Sequence, residues 1–174
     1  MKMLGMAVIA LAATGVPPAQ GGEITGMRIT SPAFENGAGM ASRYTCQGKG
    51  ISPPLAFFGA PSEAKSLALI VDDPDAPKRT WVHWLLYNLP PDAAGLAEAV
   101  DGLPAGTLEG SNDWKRTGYG SPCPPVGRHR YFFKLYALDV RLPDLGAPDK
   151  ATLLAAMQGH VIAEAQLIAT YQKR

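Results

Sequence analysis

An excess of charge of either sign is missing from this chain: sixteen Lys+Arg stand against fifteen Asp+Glu, for a net charge of +1. No overall basic field therefore exists to hold nucleic acid or an anionic membrane, and any anion site must be local. Long apolar runs are missing as well. The longest, Met3 to Val16, falls short of the roughly 20 residues that cross a bilayer, and no later segment approaches that length. No integral membrane span is expected once the N-terminus is processed. There is no internal repeat, low-complexity block or linker, which leaves one domain over residues 22 to 174. Histidine is scarce, with three residues, and no pair of them has the close helical spacing of a zinc motif. A "GxSxG" elbow is absent too.

What is present begins with "MKMLGMAVIALAATGVPPAQG", residues 1 to 21: one lysine, an apolar stretch, then a proline-containing segment ending in small residues. That is a secretory signal pattern, from which a periplasmic or secreted mature protein is expected, with a retained N-terminal membrane anchor as the weaker reading. Cleavage after Gly21 removes Lys2 and no acid, leaving fifteen charges of each sign. An oxidising compartment permits a disulfide between the two cysteines, Cys46 and Cys123, although free buried thiols are the other common use of such residues.

Sixteen prolines and nineteen glycines divide the remainder into short segments, which favours strands and turns over long helices. Ser66 to Val71, "SLALIV", is a continuous apolar run of the kind buried on both faces of a sheet. Trp81 to Leu89 is a second such run, and Tyr131 to Val140 alternates two sets of side chains. "PDKATLLAAMQGH" reads as a short helix with Asp149 as N-cap, an apolar stripe of Leu153, Leu154 and Met157, and a stop at Gly159. The following "HVIAEAQLIATY" fits both periods. A strand is favoured, because one helix running across Gly159 would cost about 1 kcal/mol.

Two clusters carry chemistry. In "DDPDAP", Pro74 and Pro77 stiffen a turn at the end of a strand, so Asp73 and Asp75 are pre-positioned, while Asp72 reads as an ordinary solvated or turn-bonding acid. Alone, this is a plain turn. His83 follows closely on a strand, where alternation would face it with Trp81, Leu85 and Tyr87 and away from Val82 and Trp84. The second cluster, "GYGSPCPPVGRHRY", is a partly rigid loop that delivers His129 and Tyr131 at the start of a strand. Exposed backbone N–H groups with one or two histidines would cradle a phosphate-sized anion; solvated arginines closing a long surface loop would look the same.

Taken together, "DDPDAP", "VHW", "GYGSPCPP" and "GRHRYFFKLYALD" resemble the phosphatidylethanolamine-binding protein family, in particular its bacterial Raf-kinase-inhibitor-like branch. The resemblance extends to "YTCQGKGISPPLAF", "GSNDW" and the C-terminal segment, nearly the whole mature chain. It implies a mainly β, antiparallel sandwich-like fold with a few short helices and a small anion pocket at one end. The implied pocket takes Asp73, Pro74, Asp75 and Pro77 as the acidic turn, His83 as a strand histidine, and Gly120, Cys123, Pro124 and Pro125 as a wall. His129 and Tyr131 complete it. The family pocket takes phosphate, acetate or phospholipid headgroups, and animal members bind kinases nearby. This chain departs from those members in the short "KRT" connection between Pro77 and Trp81.

The resulting expectation is non-catalytic binding of a small anion or phosphorylated headgroup. Asp73 and Asp75 would accept a ligand proton or amine, His83, His129 and Tyr131 would donate to the anion, and no cofactor and no metal would be needed. Three rivals draw on the same residues. A weak hydrolase would use Asp73 and His83, a metal site would use the two histidines and two carboxylates, and an inhibitor or interaction protein would hold a protease or kinase. Self-association into a homodimer is left open. His160 would sit at a helix end against terminal carbonyls, with no ligand role.

Overall fold

Where the apolar runs predict strands, the computed structural model has them; it describes residues 26 to 174, so the signal segment at 1 to 21 lies outside the described residues. The strands are β1 (Arg28–Thr30), β2 (Leu55–Phe58), β3 (Ser66–Asp73), β4 (Trp81–Leu89), β5 (Gly95–Leu96), β6 (Leu108–Glu109), β7 (Arg128–Leu138) and β8 (Val161–Gln172). Among the described residues, one helix, α1 (Lys150–Met157), and a single 3-10 turn (Ser42–Tyr44) complete the elements. β1, β2 and β5 form a small antiparallel sheet; β6, β4, β3, β7 and β8, in that order, form a larger one. The fold is mainly antiparallel β, as expected.

The larger sheet is covered on both sides, and this explains the unbroken apolar run of β3, all eight of whose residues are buried. On one face Leu67, Leu69, Val71, Tyr131, Phe133 and Leu135 meet Ile29, Leu55 and Phe57 of the small sheet. On the other, Ala68, Ile70, Leu85 and Tyr87 meet Leu153 and Met157 of α1. Each such aliphatic or aromatic side chain contributes about 1.5 to 3 kcal/mol on burial. β7 alternates as read, with Tyr131, Phe133, Leu135 and Ala137 facing the first core.

α1 has its N-cap at Asp149, whose carboxylate accepts from Thr152 N at 2.8 Å. Two of the three stripe residues are buried; Leu154 is exposed, because the eight-residue helix offers only a narrow face to the sheet. Beyond Gly159 the chain continues as β8, a strand, paired with β7 along its length. Val161, at its start, is exposed, beside a register irregularity at Ala137/Leu138. The His160 imidazole pairs with Asp139 at 2.9 Å instead of with helix carbonyls; only its backbone N–H bonds Met157 O.

At the acidic turn and on β4 the structure departs from two further expectations. Asp72 is neither solvated nor turn-bonding: it is fully buried on the α1 side and bonded by Lys134 and Lys150. His83 does not face with Leu85 and Tyr87. Opposite the step from Val71 to Asp72, β4 supplies three residues, with Val71 paired to Trp84 and Asp72 to Val82. His83 is the extra residue of a β-bulge, and the bulge turns it onto the face of Trp84 and Tyr131.

Candidate functional site

At the end of β3 the chain turns sharply, and the turn is held by its own carboxylate: Asp73 Oδ1 accepts from Asp75 N at 2.8 Å. Asp73 is the inward member of the pair, since positions 67, 69, 71 and 73 share the face toward the first core. Its Oδ2 accepts from His129 Nδ1 at 2.7 Å, and both side chains are buried. His129 Nε2 lies 3.2 Å from Val126 O. Both ring nitrogens of His129 are thus occupied by acceptors, and neither points to an incoming ligand.

Asp75 is engaged differently. Arg130 clamps it with Nε and Nη2 at 2.8 and 2.7 Å, and the Arg130 backbone N–H adds a third bond at 2.9 Å. The guanidinium holds the Asp75 carboxyl below the usual carboxylate range. Asp75 therefore closes the rim of the site and is not a free acceptor. Pro74 and Pro77 are exposed on the turn and shape it.

His83 is tied twice to Gly120: its Nδ1 bonds Gly120 O at 2.7 Å, and its own carbonyl accepts from Gly120 N at 2.8 Å. A carbonyl only accepts, so Nδ1 carries the proton and Nε2 is left as the free position of the ring. Burial pushes the His83 pKa down, and the bond to Gly120 and nearby Asp73 oppose this only in part. At neutral pH Nε2 is thus a bare acceptor. It is buried and has no hydrogen-bond partner among the described residues, and the same holds for the Tyr131 hydroxyl. The two rings meet edge to face at 5.2 Å. Burial, with Asp73 and Asp75 close by, pushes the Tyr131 pKa up, so the hydroxyl keeps its proton as a donor.

The site's cover was not singled out as functional by sequence reasoning. Trp114 stands edge to face with His83 at 5.2 Å and with Trp81 at 5.4 Å, and it is 42% exposed. Asn112 and Asp113 place it: Asn112 Oδ1 accepts from Trp114 N, and Asp113 Oδ2 accepts from Val82 N at 2.7 Å. The signal was the segment "GSNDW", whose polar residues cap a turn over β4. Gly120 is glycine because a Cβ there would lie 2.2 Å from the Trp114 ring.

The structure thus brings Asp73, Asp75, His83, Gly120, His129 and Tyr131 into one linked cluster. Cys123 and Pro125 are exposed, and Pro124 is buried. Cys123 is bridged to Cys46, so the loop wall is anchored to the segment before β2. Among the described residues, no group of three or more His, Cys, Asp or Glu is placed to hold a metal ion, and no helix is long and apolar enough to cross a membrane.

A family model described as phosphatidylethanolamine-binding protein matches residues 30 to 172. A UPF0098 protein of Methanothermobacter thermautotrophicus is 51% identical over 150 residues, which cover 84% of this chain and 99% of the relative. One from Chlamydia muridarum is 49% identical over 152 residues, with the same two coverages of 84% and 99%. Among solved structures, CT736 of Chlamydia trachomatis, described as a homologue of phosphatidylethanolamine-binding protein, superposes with a TM-score of 0.82 at 47% identity, covering 86% of this chain and 99% of that one. YbcL of E. coli, described as a new member of the mammalian PEBP family, gives 0.79 at 29% identity, covering 85% and 99%.

Proposed function

From the premise that the chain belongs to the phosphatidylethanolamine-binding protein family, we propose that the cluster around Asp73 binds a small phosphate-bearing anion, free or as a headgroup, without turning it over. Family membership supports ligand binding in general. The observation that carries the narrower reading is the pair of buried, unpartnered atoms, His83 Nε2 and Tyr131 Oη. One is an acceptor and the other a donor. A phosphate monoanion matches both: its P–OH donates to Nε2 and a second oxygen accepts from the Tyr131 hydroxyl. A dianion would present only acceptors to Nε2, beside the Asp73 carboxylate. His129 acts through Asp73, holding it in place, and Trp114 must swing aside for the ligand to enter.

The proton sign follows. Whether the proton rides on the ligand or joins His83 on binding, the complex holds one proton more than the separated dianion and neutral histidine. Affinity therefore rises as pH falls from about 8 to about 6, through the second ionisation of a phosphomonoester near pH 6 and the histidine range. Calorimetric titration with inorganic phosphate and with phosphoethanolamine reads this directly. Equal affinity at both ends of that window overturns the shared-proton model. His83→Ala and Tyr131→Phe should each weaken binding, by about tenfold for a lost hydrogen bond to a charged group. Phosphodiester and ester substrates should yield no product with the wild type.

The site of action in this reading is the periplasm or the cell exterior. It is supported by the bridge between Cys46 and Cys123, a bond that persists in oxidising compartments.

A further inference from the structure

The bulge that turns His83 toward Gly120 leaves its neighbour Trp84 on the same sheet face, paired with Val71. Trp84 is 1% exposed, yet its indole Nε1–H has no hydrogen-bond partner among the described residues. Trp84 lines a cleft of about 450 Å³ together with Ile51, Leu103 and Tyr119. The Tyr119 ring meets Trp84 edge to face at 5.7 Å, and its hydroxyl is spent on Tyr44 O at 3.1 Å. Two carboxylates, Asp101 and Glu109, line the same cleft, and among the described residues no Lys or Arg does. Ala99 lines it too at a φ of +51°, a strained setting for a residue with a Cβ, held by bonds from Ala99 N and Val100 N to Ser52.

We propose that this cleft is a second ligand site, for a small organic ammonium that carries an oxygen acceptor. The chemistry has three parts. The indole N–H supplies one buried donor and so demands an acceptor. The half-buried Tyr119 ring suits a flat or cationic group. The carboxylates at the rim select positive charge and repel an anion. The cleft is separate from the Asp73 cluster, although the segment Gly118–Tyr119–Gly120 is common to both, with Tyr119 walling one and Gly120 the other.

The test uses three phenols of nearly one shape: tyramine, cationic; 4-ethylphenol, neutral; and 4-hydroxyphenylacetate, anionic. The readout is the indole N–H resonance of Trp84 in the full-length folded protein, assigned by its loss in Trp84→Phe. Tyramine at millimolar concentration should shift that resonance saturably, with 4-ethylphenol weaker and 4-hydroxyphenylacetate without effect. Glu109→Gln and Asp101→Asn should each weaken tyramine by about fivefold, the reach of one partly exposed charge pair. Saturating phosphate should leave the tyramine response at Trp84 unchanged while acting on the Trp114 resonance, so each site can fail without the other. No saturable shift at Trp84 with any of the three overturns the site; equal response to all three overturns its charge selectivity.

Discussion

Asp72 sits at 0% exposure, with Lys134 and Lys150 both hydrogen-bonded to its Oδ2 and the Lys134 ammonium 2.9 Å from Oδ1. Both lysines keep a quarter or more of their side chains in water, so the three charges are not equally trapped. Without Asp72, each lysine can swing outward on its aliphatic stem. Without both lysines, the carboxylate remains in the interior unpaired, and breaking a buried pair in that sense costs about 3 to 5 kcal/mol. The Lys134→Met/Lys150→Met protein should therefore be less stable than Asp72→Ala, and each single lysine variant should fall between wild type and the double. Urea unfolding at neutral pH measures the order. The reverse ranking would mean that the lysines, not the acid, are the confined partners. Nothing in "DDPDAP" separates Asp72 from Asp73, because the partners of Asp72 lie 62 and 78 residues further along.

At the scale of elements, the β4 bulge and the Trp114 cap work as one device. The bulge presents His83 to Gly120, and Gly120 leaves the space that the Trp114 ring fills. Gly120→Ala should push the ring off His83 and destabilise by about 1 to 3 kcal/mol, the usual range for overpacking. Adding Trp114→Ala should recover part of that loss, so the two changes would be less than additive in a double-mutant cycle. Full additivity in thermal unfolding would show that the ring does not depend on the glycine. The same device marks where sequence reading stopped. β3 was legible because an apolar run without alternation implies two covered faces, and β7 because its two sets of side chains alternate. His83 was legible as a strand residue beside an acidic turn, but not in its direction. A one-residue bulge is created by pairing with β3 and leaves no local mark in "WVHWLLYNL".

For the molecule as a whole, the near-equal charges predict little steering at a distance, so specificity rests on the local clusters and on how firmly the loops carrying them are held. The loop from Gly118 to Arg128 has few regular backbone partners, and the ties that fix it include Gly120 to His83, the Tyr119 hydroxyl to Tyr44 O, Cys46 N to Pro122 O at 3.0 Å, and the bridge from Cys123 to Cys46. The bridge spans 77 positions, and closing a loop of that length restricts the unfolded chain by about 4.5 kcal/mol on the entropic model. Cys46→Ser/Cys123→Ser, or reduction of the wild type, should lower the melting temperature by about 10 to 15 °C. If the bridge acts only on the unfolded chain, phosphate affinity will be unchanged at a temperature where both forms are folded. If it also holds the pocket wall, affinity will fall with the bridge open, because the loop then has to be ordered by the ligand. The second outcome is expected, since the loop that carries the bridge also positions Gly120 and, through Val126, the outer nitrogen of His129.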